Sequence, residues 1–183
     1  LGDVYKRQPI IWVAALGYFV DIYDLLLFSI IRIPSLNDLG VQDIAGNGLL
    51  ILNTQMFGLL LGGILWGILG DELGRTRVLF FSIALYSVGN LLNGFVQTAP
   101  QYAWIRFFTG IGLAGELGAG ITLVSELLPK EKRGVGTSIV AGFGLTGAIL
   151  AYFISQWFDW RTCYFIGGGL GLTLLLMRMS VFE

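Results

Sequence analysis

Histidine is absent from the 183 residues, cysteine occurs once, proline four times, and Asp, Glu, Lys and Arg together supply only 13%. The missing histidine removes the side chain that titrates most readily near neutral pH, so any proton handling must rest on Asp and Glu. A single cysteine, Cys163, excludes an intrachain disulfide, and its place in an apolar run is that of a small buried residue. So few charges could not wet the surface of a soluble domain. The net charge of −1 gives no reason to expect a nucleic-acid partner.

What the chain has instead is apolar length. Hydrophobic residues make up 55% and the mean hydropathy is +0.77. A spanning helix needs about 20 predominantly apolar residues, and six such runs occur, at 9–33, 48–69, 78–96, 102–125, 135–158 and 162–181. The expected fold is therefore all-α and polytopic, six transmembrane helices in a lipid bilayer over residues 9–183. The opening GDVYKRQ resembles a translated sequencing-adaptor end, so 1–8 is set aside as a non-native tail; the other reading is a short native one. The last run closes as the chain stops, as expected of a fragment. Basic residues fall six to two in favour of one side: Arg75, Arg77, Lys130, Lys132, Arg133 and Arg178 against Arg32 and Arg161. By the positive-inside rule the breaks after runs two and four face the cytoplasm, as in a bacterial inner membrane. Trp104, Trp157 and Trp160 then fall at the outer boundary and Trp12 and Trp66 toward the inner one.

Within the first run, GYFVDIYDLLLFS holds Asp21 and Asp24 with no nearby cation in sequence. At 1.5 Å per residue Asp21 lies about 18 Å along its run and Glu116 about 21 Å along the fourth. All three carboxylates thus sit near the bilayer midplane, where an ionised acid costs about 2.5–3.5 kcal/mol on insertion scales. They must face protein or a water-filled cavity. Asp21 and Asp24, three apart, share a helix face. In a confined cavity such a pair could take and release a proton; alternatively the acids only bond backbone or hydroxyl groups across a helix interface.

Glu116 stands among Gly110, Gly112, Gly115, Gly118 and Gly120, small residues that let helices approach closely. Packing accounts for the glycines and leaves Glu116 unexplained. Arg106 lies near the start of its run and either snorkels to the interface or serves the cavity as a counter-charge. Tyr23, Asn53, Gln55, Asn90 and Asn93 are further candidates for the cavity wall, or ordinary interhelical hydrogen-bond partners. Nothing in the sequence calls for a metal or a cofactor.

Between runs two and three, GILGDELGRTR places Asp71 at the end of a helix, where the macrodipole disfavours a carboxylate by about 0.3–1 kcal/mol. Gly74 supplies a stop, and Arg75 and Arg77 follow. Gly67, Asp71, Gly74, Arg75 and Arg77 read G-x-x-x-D-x-x-G-R-x-R, which resembles the loop 2–3 signature of the major facilitator superfamily. Arg106 to Gly112, R-x-x-x-G-x-G, is similar to its fourth-helix signature. Glu126, Pro129, Arg133 and Gly134, E-x-x-P-x-x-x-R-G, resemble the helix-four exit of its sugar and metabolite porters.

The resemblance implies the N-terminal half of a twelve-helix transporter, built from two inverted three-helix repeats. It also implies that the first and fourth helices line a central cavity. The segments DIYD and GELG resemble those of proton-coupled metabolite, organic-acid and sialate symporters. Proton coupling would then fall to Asp21, Asp24 and Glu116, with Arg106 as counter-charge. Asp71 with Arg75 and Arg77, and Glu126 with Arg133, would form cytoplasmic gating contacts. The partners implied are a small-molecule substrate, protons, the bilayer and the C-terminal six-helix half. A sugar uniporter or a drug/proton antiporter is the alternative in the same superfamily, although the fifth run lacks the exporters' Gly-Pro signature. An intramembrane aspartyl protease would need Gly-x-Gly-Asp before Asp71, where Ile68 breaks the pattern. A non-transporting membrane scaffold is the remaining class; no enzyme is expected.

Overall fold

The computed structural model describes the backbone of residues 2–182 and the side chains of 11–118 and 128–180. All regular structure among them is helical: α1 (Gly2–Asp38), α2 (Ile44–Leu73), α3 (Arg75–Asn93), α4 (Ala99–Leu127), a 3-10 turn (Lys130–Lys132), α5 (Arg133–Trp157) and α6 (Trp160–Phe182). Six helices stand where six apolar runs were expected, longer at most ends. α1 takes in the residues set aside as a tail. Among the described residues four helices, α1, α2, α5 and α6, are by length and composition able to cross a membrane, and the chain is an integral membrane protein. α3 is more polar because Ser82, Ser87, Asn90 and Asn93 are all buried inside the bundle.

Local chemistry sets the helix ends. Asp43 caps α2 by accepting the Gly46 N–H at 2.9 Å, while the Asn47 side chain donates to the Asp43 carbonyl. At the break between α2 and α3, Gly74 adopts φ +90°, a conformation L side chains resist. Before α6 the exposed Asp159 accepts from the Thr162 hydroxyl and N–H, which holds its carboxyl below the usual range.

The first three helices repeat as the second three. α2 packs most extensively on α4, and α1 on α5, contacts that exchange when the two halves are swapped. Gly58 of α2 lies against the Phe107 carbonyl of α4, and Gly147 of α5 against the Phe19 carbonyl of α1. Phe107 follows Phe19 by 88 residues and Gly147 follows Gly58 by 89, so one close backbone approach is made twice. A Cβ at either glycine would collide with a carbonyl oxygen. Of the four helices able to cross a membrane α1 is the most enclosed, whereas α2 shows Leu60, Ile64 and Ile68, and α5 shows Ile139, Leu145 and Ile149, to the outside. In a bilayer such faces suit lipid or another apolar helix.

At the end where α1 meets α2, α3 meets α4 and α5 meets α6, Arg161 acts as a clasp. Its Nη1 donates to the carbonyls of Gly94 (3.0 Å) and Val96 (2.8 Å). Its guanidinium lies 4.2 Å from the centre of the Trp160 ring, and Nη2 is 3.7 Å from Asp38. Trp160 donates from Nε1 to Asp38 at 3.1 Å and is buried, unlike the exposed Trp104 and Trp157. Trp160 therefore ties α6 to α1 instead of joining an aromatic belt.

Candidate functional site

Two charged clusters lie inside the bundle, one above the other along α1. The first is centred on Arg106, which is fully buried and does not snorkel. Its Nη1 is 3.3 Å from Asp24 Oδ1 and 3.2 Å from Asn90 Oδ1; Nε donates to Gln55 Oε1 at 3.3 Å, and Nη2 to the Asp24 carbonyl at 3.4 Å. One guanidinium on α4 thereby links α1, α2 and α3. An arginine can do this because its donors form a planar fork.

Toward the clasped end, tyrosines cover the cluster. The Tyr164 ring lies 5.6 Å from the Arg106 guanidinium carbon, and its hydroxyl is 2.5 Å from that of Tyr102, which also donates to Ser35 at 3.3 Å. Tyr23 donates to the Cys163 carbonyl at 2.9 Å and is fully buried, as is Cys163. Asn93 donates to Thr109 at 3.4 Å, one layer out from Arg106.

The second cluster pairs Glu116 of α4 with Arg178 of α6, each 1% exposed. This corrects the reading of Arg178 as a boundary charge: it lies within the bundle as the partner Glu116 lacks on its own helix. The pair is seated on Gly17 of α1, whose missing side chain leaves the space that Arg178 Nη2 and Glu116 Oε1 occupy. Asp21, one helical turn along α1, feels both members of the pair electrostatically, as does Tyr86 of α3. Asp21 is 1% exposed and makes no hydrogen bond or ion pair among the described residues.

The structure thus brings Asp21, Asp24, Arg106, Glu116, Tyr23, Gln55, Asn90 and Asn93 into one buried seam. Asn53, two residues from Gln55 and so on another face of α2, is exposed and stands apart. Gly67, Asp71, Gly74, Arg75, Arg77 and Arg133 form a separate, exposed group at the opposite end from the Arg161 clasp. There Gly67, Gly70, Asp71 and Arg75 line a groove of about 410 Å³ with Trp66, Val78 and residues of α4. Trp66 donates to the Ile111 carbonyl at 2.6 Å, fixing the groove wall. Arg133 donates to the Leu128 carbonyl at 3.0 Å. The Glu126 side chain lies outside the described residues.

A unit of three helices repeated once, with two ion pairs buried inside the bundle, defines a polytopic membrane protein. A family model described as the Major Facilitator Superfamily matches residues 12–182. The chain belongs to that superfamily and corresponds to its N-terminal six-helix half. It is 32% identical to the sialic acid transporter NanX of Escherichia coli, over 97% of this chain and 44% of that protein. With the niacin transporter NiaP of Acinetobacter baylyi it shares 30% identity over 88% of this chain and 37% of the relative. The solved structure of the proton:xylose symporter XylE superposes with a TM-score of 0.86 at 20% identity, covering 97% of this chain and 45% of that one. The chain spans less than half the length of the curated relatives it matches.

Proposed function

We propose that this chain is the first half of a twelve-helix secondary transporter that carries a small metabolite, an organic acid in the first instance, together with protons by alternating access. The observation that carries the reading is the buried seam itself: three acids and two arginines inside the bundle, with no partner for one of the acids among the described residues. Charges so placed are costly unless they serve transport or pairing, and pairing accounts for only two of the acids. The relatives' names support a carboxylate cargo, since niacin and sialic acid are both carboxylic acids. Arg106 has its Nε, Nη1 and Nη2 engaged already, so the cation that meets such a cargo would come from the C-terminal half. A sugar-like cargo would need no such cation; the likeness to XylE supports it through the fold alone.

The test is a set of amide substitutions in the complete transporter, Asp21→Asn, Asp24→Asn and Glu116→Gln, assayed in proteoliposomes. At least one should abolish proton-gradient-driven accumulation while leaving substrate exchange, which needs no net proton movement. Wild-type pH dependence of accumulation in all three would refute the coupling role.

We place the exposed basic end, Arg75, Arg77, Lys130, Lys132 and Arg133, in the cytoplasm, on the positive-inside rule. Its group around Asp71 then acts as a latch toward the other half. Asp71→Asn should slow transport several-fold with membrane insertion intact; unchanged kinetics would remove the latch.

A further inference from the structure

We propose that Arg32, with Ser29 beside it, forms an outer reception site for the carboxylate of an anionic cargo, met before the buried seam is reached. The proposal rests on the organic-acid reading of the transporter and adds to it a place of entry. Arg32 lies eight residues past Asp24 on α1, about 12 Å nearer the clasped end, which the positive-inside rule places outside. It is only half-buried, and its guanidinium makes no hydrogen bond or ion pair among the described residues. The other charged side chains at this end are already engaged: Arg161 holds Asp38, Asp43 caps α2, and Asp159 accepts from Thr162. Three carboxylates against two arginines would repel an incoming anion. Arg32, the arginine not engaged, is the group that can draw it in.

The local geometry suits a carboxylate. The Arg32 stem lies against the buried Gly48 of α2, whose missing side chain leaves the space that Cγ and Cδ occupy. That seat holds the guanidinium at the junction of α1 and α2, which lowers the cost of ordering a long side chain when a ligand binds. Ser29, three residues earlier, shares this face of α1. It is exposed, and its hydroxyl likewise makes no hydrogen bond among the described residues. A planar fork of donors with a hydroxyl donor next to it matches the two oxygens of a carboxylate. Leu26 and Ile33 continue the open stripe of α1 and offer contact to the apolar body of such a cargo. Because α1 packs on α2, α4, α5 and α6, its open stripe on the transport reading faces the other half across the cavity, not lipid.

The experiment measures initial uptake from the outer side by the complete transporter in phosphatidylcholine vesicles. The probes are niacin, sialic acid and benzoate, carboxylates for which relatives of the chain are named. The variants are Arg32→Gln, Arg32→Lys, Ser29→Ala and Gly48→Val. For each probe the parent carries, Arg32→Gln should raise KM about tenfold with the maximal rate unchanged. Arg32→Lys should recover part of that loss, and Ser29→Ala should raise KM about threefold. Gly48→Val keeps the charge but pushes the stem off its seat, and should resemble Arg32→Gln. Salt gives a readout that a merely structural role would not move: the parent's KM should rise with ionic strength and that of Arg32→Gln should stay flat. A parent-like KM in Arg32→Gln overturns the site. So does a fall in maximal rate at unchanged KM, the mark of an ion pair with the other half. A difference between parent and Arg32→Gln that appears only when phosphatidylglycerol is added assigns the guanidinium to lipid phosphate and overturns it too. If the parent takes up none of the three acids, the organic-acid reading fails and this site with it.

Discussion

Arg178→Leu should destabilise the complete protein by about 3–5 kcal/mol, the cost of stripping one partner from a buried ion pair. The double variant Arg178→Leu/Glu116→Leu should fall within about 1 kcal/mol of the parent, because replacing a buried pair by apolar groups is often neutral or better. The asymmetry follows from what remains. After Arg178→Leu, Glu116 and Asp21 share a dry space with no cation from α6, and at least one must be protonated for the helices to close. Thermal unfolding in detergent, followed by circular dichroism or by loss of the monodisperse peak, reads both numbers. A single variant as stable as the parent would mean that the pair carries no structural weight. A double variant as damaged as the single one would mean that packing, not charge, is at stake.

The six helices were legible because a bilayer demands long apolar runs, and the composition left no other fold. Asp24 and Arg106 were legible as well, although Arg106 stood open between snorkelling and burial; its choice depends on Gln55 and Asn90, which come from helices whose facing cannot be read from spacing alone. Arg178 was misread for an instructive reason. It follows LLLM at the close of an apolar run, where a basic residue ordinarily marks the interface. Depth would have found it. Glu116 lies seventeen residues past the start of α4 at Ala99, and Arg178 eighteen past the start of α6 at Trp160, on helices that leave the same end of the bundle. Both are therefore about 26 Å along their axes. That comparison needs the helix starts to within a turn, and Trp160, the true start of α6, looked like a residue of the aromatic belt. The seat on Gly17 was harder still, since a glycine in an apolar helix reads only as packing until its neighbour is known.

Arg106→Lys should leave the charge count intact and still impair the transporter more than tenfold. Lysine carries a compact ammonium in place of the fork that reaches Asp24, Gln55 and Asn90 together. It can keep the ion pair with Asp24, but it cannot also hold α2 through Gln55 and α3 through Asn90. Each charged hydrogen bond lost costs about 1.5–3 kcal/mol where the partner is left buried, and Gln55 and Asn90 are both fully buried. Four helices meet at this guanidinium, and under the proposed alternating-access function rocking of one half against the other requires that they move as a body. The variant should therefore insert and bind detergent normally, unfold at lower temperature, and transport slowly even under exchange conditions. Slow exchange separates it from a variant that has lost only proton coupling, in which exchange persists and accumulation alone is lost. Wild-type exchange by Arg106→Lys would show that the cluster needs a positive charge alone, and that the four helices are held together by their apolar packing.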